Sequence, residues 1–106
     1  MNTTIVIGTI RELPSLRETP NGNKVATLLV SSERNFKNPE GNYENDLFRI
    51  TLWKGVAETV TETARKGQLV AIKGRLQSSP YEKSDGTQMY FYDVIAEKVA
   101  FLTPGI

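Results

Sequence analysis

Apolar and polar side chains alternate with a period of two along most of the chain, which predicts β-strands. The predicted strands cover residues 4–10, 24–31, 47–53, 69–76 and 89–95, with a short closing segment at 99–102. The pair Asn21-Gly22 predicts a chain reversal between the first two strands. The pair Asp85-Gly86, within residues 78–88, predicts a projecting hairpin before the last long strand.

Two of these strands separate a core face from an exposed face. In residues 47–53 the apolar face consists of Phe48, Ile50 and Leu52. The opposite face consists of Leu47, Arg49, Thr51 and the only tryptophan, Trp53. In residues 69–76, Lys73 and Arg75 lie opposite the apolar positions. Both strands are therefore expected to bury one face and to present basic or aromatic side chains on the other.

One helix is predicted, at residues 56–66. Its narrow apolar stripe has a spacing of four and consists of Val56, Val60 and Ala64. Arg65 and Lys66 lie in the predicted last turn, where cations stabilise the helix dipole, and Gly67 follows as the C-terminal stop.

A polar segment at residues 33–44 separates the second and third predicted strands. It contains Pro39 and Gly41, and the aromatic residues Phe36 and Tyr43 stand among charged neighbours. This composition predicts a long, mobile loop that carries exposed aromatics.

The order of these elements predicts an all-β fold with five strands and one helix between strands 3 and 4. That order is the layout of the OB-fold, a small Greek-key barrel. Gly8, inside the first strand, predicts the bend or close backbone approach that a small barrel needs. The whole chain, residues 1–106, is expected to form this single domain.

The composition excludes several classes of chemistry. The 106 residues include no Cys and no His, which excludes thiol nucleophiles, disulfides, imidazole catalysis and the common zinc sites. Thirteen Lys and Arg and twelve Asp and Glu leave a net charge of +1, so bulk charge does not indicate nucleic acid. The sequence has neither an apolar run of about 18 residues nor a signal-peptide pattern, so we expect a cytoplasmic protein without a membrane partner.

Basic and aromatic residues coincide on the same segments, which favours a single-stranded nucleic acid as the ligand. Proteins that bind single strands combine a basic groove for phosphates with aromatic surfaces for bases. The candidate aromatic residues are Phe36, Trp53 and Tyr81. The candidate basic residues are Arg34, Lys37, Arg49, Lys54, Lys73, Arg75 and Lys83.

Each of these residues also has a plainer interpretation. Trp53 could pack in the core, and Tyr81 could belong to a cross-strand aromatic pair that stabilises its hairpin. Phe36 could pack within its own loop. Lys73 and Arg75 could form a solvated strand face.

Several motifs resemble those of the bacterial-type single-stranded DNA-binding proteins over nearly the whole chain. The most specific is Leu-Arg-x-Thr-Pro-x-Gly at residues 16–22, followed by Val-Ala and then, at residues 66–76, by Lys-Gly-x6-Gly-Arg-Leu. Further matching segments lie at residues 7–10, 52–54, 57–58, 81–86 and 94–99.

The resemblance implies sequence-independent binding and protection of single-stranded DNA during replication, recombination or repair, without catalysis and without a cofactor. It places Trp53 and Tyr81 at base-stacking positions and Phe36 near another one. Leu47 falls at a further stacking position, where it offers apolar contact but no π-face.

The resemblance also implies a homo-oligomer, in the first place a tetramer, in a bacterial, phage or plasmid setting and associated with the nucleoid. Family members typically continue into a flexible tail whose acidic tip recruits repair and replication proteins. The sequence ends at Ile106, directly after the predicted barrel, so we expect no such tail and no such recruitment. Two explanations of the missing tail stay open: a family member that is naturally short, and a chain that has been shortened.

Three other functions compete with this interpretation. A primosomal replication protein with an OB-fold would be a dimer and would bind a helicase. A metal-dependent nuclease would need clustered carboxylates, and its candidates are Asp46, Asp93 and Glu97, which form no recognisable motif. An RNA-binding OB domain also stays open, because stacking does not distinguish ribose from deoxyribose.

Overall fold

The computed structural model describes residues 1–103, so residues 104–106 of the predicted domain lie outside the described part. The elements are β1 (Thr4–Glu12), β2 (Arg17–Glu18), β3 (Lys24–Lys37), β4 (Tyr43–Trp53), α1 (Lys54–Thr63), β5 (Leu69–Glu82) and β6 (Gln88–Phe101). Among the described residues, no helix has the length and apolar character needed to cross a membrane.

Five of the strands close into a barrel. The order around the sheet is β1, β5, β6, β4 and β3, and a further pairing of β1 with β3 completes the circle. All of these pairs are antiparallel except β4 with β6. The helix α1 connects the third and fourth barrel strands, β4 and β5. The predicted OB-fold is therefore confirmed, and the two-residue strand β2, which pairs with β3, is an unpredicted addition.

The long loop predicted at residues 33–44 is wrong, whereas the predicted exposure of Phe36 and Tyr43 is confirmed. Strand β3 continues to Lys37 and β4 begins at Tyr43, so only a tight turn remains between them. Arg34 of this segment forms ion pairs across the two strands, with Glu44 at 2.7 Å and with Asp46 at 2.8 Å. Such pairs stabilise a hairpin although neither strand buries an apolar face there. The closing segment at residues 99–102 belongs to the last strand, because β6 runs without a break to Phe101.

Three hairpin turns share one geometry. The turns comprise residues 19–23, 38–42 and 83–87. In each turn, the N–H of the first residue donates to the carbonyl of the fifth residue, and the N–H of the fourth residue donates to the carbonyl of the first. The fourth residue is a glycine in each turn, with φ between 83° and 85°. Left-handed backbone of this kind has almost no steric cost for glycine, so the sequence fixes the position of each turn. The predicted turns at Asn21-Gly22 and Asp85-Gly86 are confirmed.

The core fills the barrel, and two glycines allow its strands to approach closely. Buried side chains from all five barrel strands meet there, and the largest are Ile10, Leu28, Ile50, Leu52 and Ile72. A side chain at Gly8 would collide with the carbonyl oxygen of Ser31, and one at Gly74 would collide with that of Ile95. The close approach predicted at Gly8 is therefore confirmed.

The helix begins and ends earlier than the sequence predicts. It covers Lys54–Thr63, and Ala64 already has an extended backbone, with ψ of 142°. Arg65 and Lys66 therefore lie beyond the helix and not in its last turn. The chain turns early because it is tied to the barrel: the N–H of Gly67 donates to the carbonyl of Ile10 at 2.8 Å. A second bond to the barrel runs from the N–H of Ile10 to the carbonyl of the buried Gln68 at 2.9 Å. The side chain of Gln68 also accepts from the N–H of Arg65 at 3.0 Å.

Candidate nucleic-acid interface

The strand register gathers several of the candidate residues on one exposed face of the barrel. Thr51 of β4 and Arg75 of β5 both pair with Ile95, which lies between them on β6. Arg49 and Trp53 lie on the same side of β4 as Thr51, because side chains alternate along a strand. We call the surface formed by Arg49, Thr51, Trp53 and Arg75 the outward face; Ile95, which lies between its strands, is itself only 8% exposed.

Trp53 lies on the outward face and not in the core. Its neighbour Leu52 is fully buried, whereas Trp53 is 38% exposed. It ends strand β4, and Lys54 follows directly with φ of 53°. A left-handed backbone at a residue other than glycine costs about 1–2 kcal/mol, and such strain is concentrated at functional sites. The indole is thus accessible to a flat ligand, and a cation stands next to it.

Tyr81 lies on the projecting hairpin of β5 and β6, where it contacts a second aromatic ring. Its ring centroid is 6.0 Å from that of Phe91, in an edge-to-face arrangement. The two rings, with Ser79 and Pro80, line an open cleft. Tyr81 therefore forms a cross-strand aromatic pair that can stabilise the hairpin, and part of its ring is still exposed to solvent.

Arg34 is the one candidate cation whose charge is offset by carboxylates. Its Nη1 lies 2.7 Å from Oε2 of Glu44, and its Nη2 lies 2.8 Å from Oδ1 of Asp46. The hydrogen bond and the charge of Arg34 lower the pKa of Asp46, so this carboxylate stays ionised at neutral pH. A contact between Arg34 and phosphate stays a prediction, and it would have to compete with both carboxylates.

The other candidate cations have no carboxylate partner within the described residues. The only further salt bridge in residues 1–103 joins Lys24 to Glu18. The exposed side chains without such a partner are Lys37, Arg49, Lys54, Lys73, Arg75 and Lys83. Their positive charges are therefore available to an anionic ligand.

These cations are not all in one place. Arg49 and Arg75 belong to the outward face, and Lys54 follows it. Lys37 and Lys83 lie at the tips of the two long hairpins, and Lys37 has its Nζ 5.6 Å from the ring of Tyr43. The register places Lys73 in a different row, between Ile5 of β1 and Lys98 of β6.

Comparison with known proteins decides which family these features belong to. A family model described as the single-strand binding protein family matches residues 1–102. The chain belongs to this family.

Curated relatives of the single-strand binding protein family support this assignment. The chain is 41% identical to a single-stranded DNA-binding protein of Bacillus cereus, over 98% of the chain and 61% of the relative. It is 38% identical to single-stranded DNA-binding protein 2 of Staphylococcus aureus, over 98% of the chain and 74% of the relative. It is 38% identical to single-stranded DNA-binding protein A of Bacillus subtilis, over 98% of the chain and 60% of the relative. The chain thus spans about three fifths of the length of the Bacillus relatives.

Sequence reasoning missed three exposed aromatic residues of this family member. Tyr90, Phe91 and Tyr92 are consecutive on β6, and each is more than half exposed. The sequence did contain a signal for them, because a strand segment with aromatic residues at three consecutive positions presents rings on both of its faces. Such a strand is either buried on both sides or it offers rings to a ligand on both sides.

The carboxylates of the nuclease alternative do not come together. Asp46 is engaged by Arg34, and Asp93 accepts a hydrogen bond from the hydroxyl of Thr51 at 3.0 Å. Within residues 1–103, no three His, Cys, Asp or Glu side chains are close enough to share a metal ion. Nothing in the described part of the chain therefore supports that alternative.

Proposed function

We propose that this chain binds single-stranded DNA without sequence preference and without catalysing a reaction. The observation that carries the proposal is the outward face, where exposed Trp53 shares one side of the barrel with Arg49 and Arg75, which have no carboxylate partner among residues 1–103. The family assignment and the names of the curated relatives support the same function.

The proposed mechanism is a series of weak contacts along the strand. Bases stack on Trp53 and Tyr81, and each base–aromatic contact contributes about 1–3 kcal/mol. Lysine and arginine side chains neutralise phosphates and release counterions. Every base has a π-face, so this mode does not select a sequence. Paired bases in a duplex do not reach the rings, so duplex DNA binds weakly.

The proposal includes self-association, with a tetramer as the first assembly and a dimer as the alternative. Two side chains on β1 support it, because Ile5 is 66% exposed and Ile7 is 53% exposed. In addition, β1 pairs with β3 only from Thr9 onward, and the Ser32 hydroxyl donates to the carbonyl of Ile7 at 2.8 Å, so among the described residues the unpaired edge of β1 lies before Ile7. An apolar surface beside a free strand edge favours pairing with a second copy. Sedimentation as a monomer at micromolar concentration would overturn this part of the proposal.

The experiment that tests the function is a titration of a fluorescently labelled oligo(dT), followed by its anisotropy at several salt concentrations. We expect binding that weakens as salt rises, with equal affinity for mixed-sequence strands and little affinity for duplex. Preference for duplex or for one sequence would contradict the proposal. Equal or stronger binding of RNA would favour the RNA-binding alternative, and a stable dimer that captures a helicase would favour the primosomal alternative.

A further inference from the structure

A pocket opens where β4 separates from the hairpin of β5 and β6. The parallel pairing of β4 with β6 comprises only Ile50 with Val94 and Thr51 with Ile95, and the strands diverge before these residues. The space between them has a volume of about 340 Å³ and is lined by Leu47, Phe48, Arg49, Leu76, Tyr92 and Val94. We call it the fork pocket.

The lining of the fork pocket combines an apolar floor with an aromatic wall and a cation. Phe48 and Val94 are partly or fully buried and form the floor. The walls are exposed apolar side chains from three strands: Leu47 is 54% exposed, Leu76 44% and Tyr92 61%. Arg49 lies at the rim and forms no salt bridge within residues 1–103.

This combination matches one nucleotide of a single strand. A flat heterocycle can stack on the Tyr92 ring and cover the leucine side chains, while the phosphate next to it faces the Arg49 guanidinium. The volume is at the lower end of the range of small-ligand sites, about 300–1,000 Å³.

The fork pocket meets the outward face at Arg49. Tyr92 lies on the other side of the sheet, because it shares a side of β6 with Val94, which pairs with the buried Ile50. Arg49 and Trp53 lie on the same side of β4, four residues apart, which corresponds to about 13 Å at the usual rise per residue. At a spacing of about 3.4 Å per stacked nucleotide, the strand bridges this distance with about four nucleotides or fewer. A strand stacked on Trp53 and running along β4 therefore reaches Arg49 at the rim of the pocket, and a base that turns in between β4 and β6 there contacts the Tyr92 ring.

We propose that Tyr92 is a base-stacking residue and that the fork pocket holds one base of the bound strand. This inference rests on the proposed function and adds a residue that sequence reasoning did not select. Leu47 has no π-face of its own, and Tyr92, from the neighbouring strand, supplies one above the same pocket.

Site-directed variants of the full chain separate stacking from burial. Binding of a short labelled oligo(dT) is compared for wild type, Tyr92→Phe, Tyr92→Leu and Tyr92→Ala. We expect Tyr92→Phe to bind within about twofold of wild type, because the ring is retained. Tyr92→Leu and Tyr92→Ala are expected to bind about tenfold more weakly. Since Tyr92 is exposed, all three variants should unfold at the wild-type temperature.

Tyr90→Ala is the matched control, because Tyr90 lies on the same strand and is equally exposed but does not line the pocket. Its affinity should equal that of wild type. As a direct probe, an oligonucleotide that contains 5-iodouracil should form a photochemical cross-link to Tyr92, located by mass spectrometry of the peptides.

Each outcome decides the question. The proposal is overturned if Tyr92→Ala and Tyr92→Leu bind like wild type, or if Tyr90→Ala weakens binding as much as Tyr92→Ala does. It is also overturned if cross-links form elsewhere and never at Tyr92. If Trp53→Ala still weakens binding in those cases, the proposed function survives without the fork pocket. If wild type binds no oligo(dT) at all, both proposals fail together.

Discussion

The two long hairpins of the barrel have the same turn but opposite surface chemistry. The first joins β3 to β4, the second joins β5 to β6, and both close with a glycine at the fourth turn position. In the first hairpin, Arg34 is held by Glu44 and Asp46, and Lys37 lies over the ring of Tyr43. The second hairpin has no salt bridge among residues 77–93 and carries aromatic rings on both of its faces.

This difference shows that the backbone alone does not decide which hairpin is suited to a ligand. In the first hairpin, Arg34 is held by two carboxylates, so a phosphate contact there would require breaking existing ion pairs, and only Lys37 at the tip has no carboxylate partner among residues 1–103. In the second, the rings remain exposed to water and gain from a partner that covers them. We therefore expect more of the stacking energy to come from the second hairpin and the outward face than from the first hairpin.

The largest expected effect is found when one aromatic ring is removed from each hairpin and the losses of DNA affinity are compared. Tyr81→Ala should weaken binding of oligo(dT) about tenfold, because a base loses its stacking surface. Phe36→Ala, in the first hairpin, should weaken it by about threefold or less. Both affinities are measured by anisotropy at one salt concentration. A larger loss for Phe36→Ala than for Tyr81→Ala would reverse the assignment.

Two controls accompany this comparison. Tyr81→Phe keeps both the ring and the contact with Phe91, and it should bind like wild type. Thermal unfolding of Tyr81→Ala shows whether loss of the Tyr81–Phe91 pair has also loosened the hairpin.

A smaller effect is expected when Arg34 is released from its carboxylates. The double variant Glu44→Gln with Asp46→Asn frees one guanidinium for phosphate, so binding at low salt should strengthen by about two- to fivefold. The plot of log K against log salt should become steeper by about 0.7, the contribution of one phosphate contact on a single strand. Titrations at four or more salt concentrations give this slope.

The control for this variant removes two negative charges elsewhere. Glu58→Gln with Glu62→Gln changes the net charge equally on the exposed side of α1 but releases no arginine. Equal gains for both double variants would mean that net charge, and not Arg34, determines the effect.

The smallest effect is the pH dependence of the first hairpin. Arg34 lowers the pKa of Asp46, so the pair stabilises the hairpin above the usual aspartate pKa of about 3.9. That contribution is lost as the pH falls below this value and through the lowered pKa of Asp46. NMR titration of the Asp46 carboxyl group should show the lowered pKa in wild type and a return towards about 3.9 in Arg34→Gln. An unchanged pKa in Arg34→Gln would contradict the proposed cause.

Local signals in the sequence predicted much of the fold. The alternation at residues 47–53 placed Leu52 inside and Trp53 outside, and both positions are confirmed. Glycine next to asparagine or aspartate marked two of the hairpin turns, and Gly8 marked a close approach of strands. These features depend on one residue and its immediate neighbours, so they are visible without the rest of the structure.

The errors have a different physical origin, because each depends on contacts between distant segments. The strands at residues 33–44 are stabilised by ion pairs such as Arg34 with Asp46, which become apparent only when the register is known. The early end of α1 depends on the bond from Gly67 to Ile10. Tyr92 becomes a candidate only when β4 and β6 bring it near Leu47.

The most direct test of the central claim uses the fluorescence of Trp53, the only tryptophan in the chain. Oligo(dT) is added to the protein at several salt concentrations, with duplex DNA of the same length as the control. We expect strong quenching by the single strand that weakens as salt rises, and almost none by the duplex. Binding of the single strand without quenching would show that Trp53 is no stacking surface. Equal quenching by duplex would contradict the proposed single-strand mechanism.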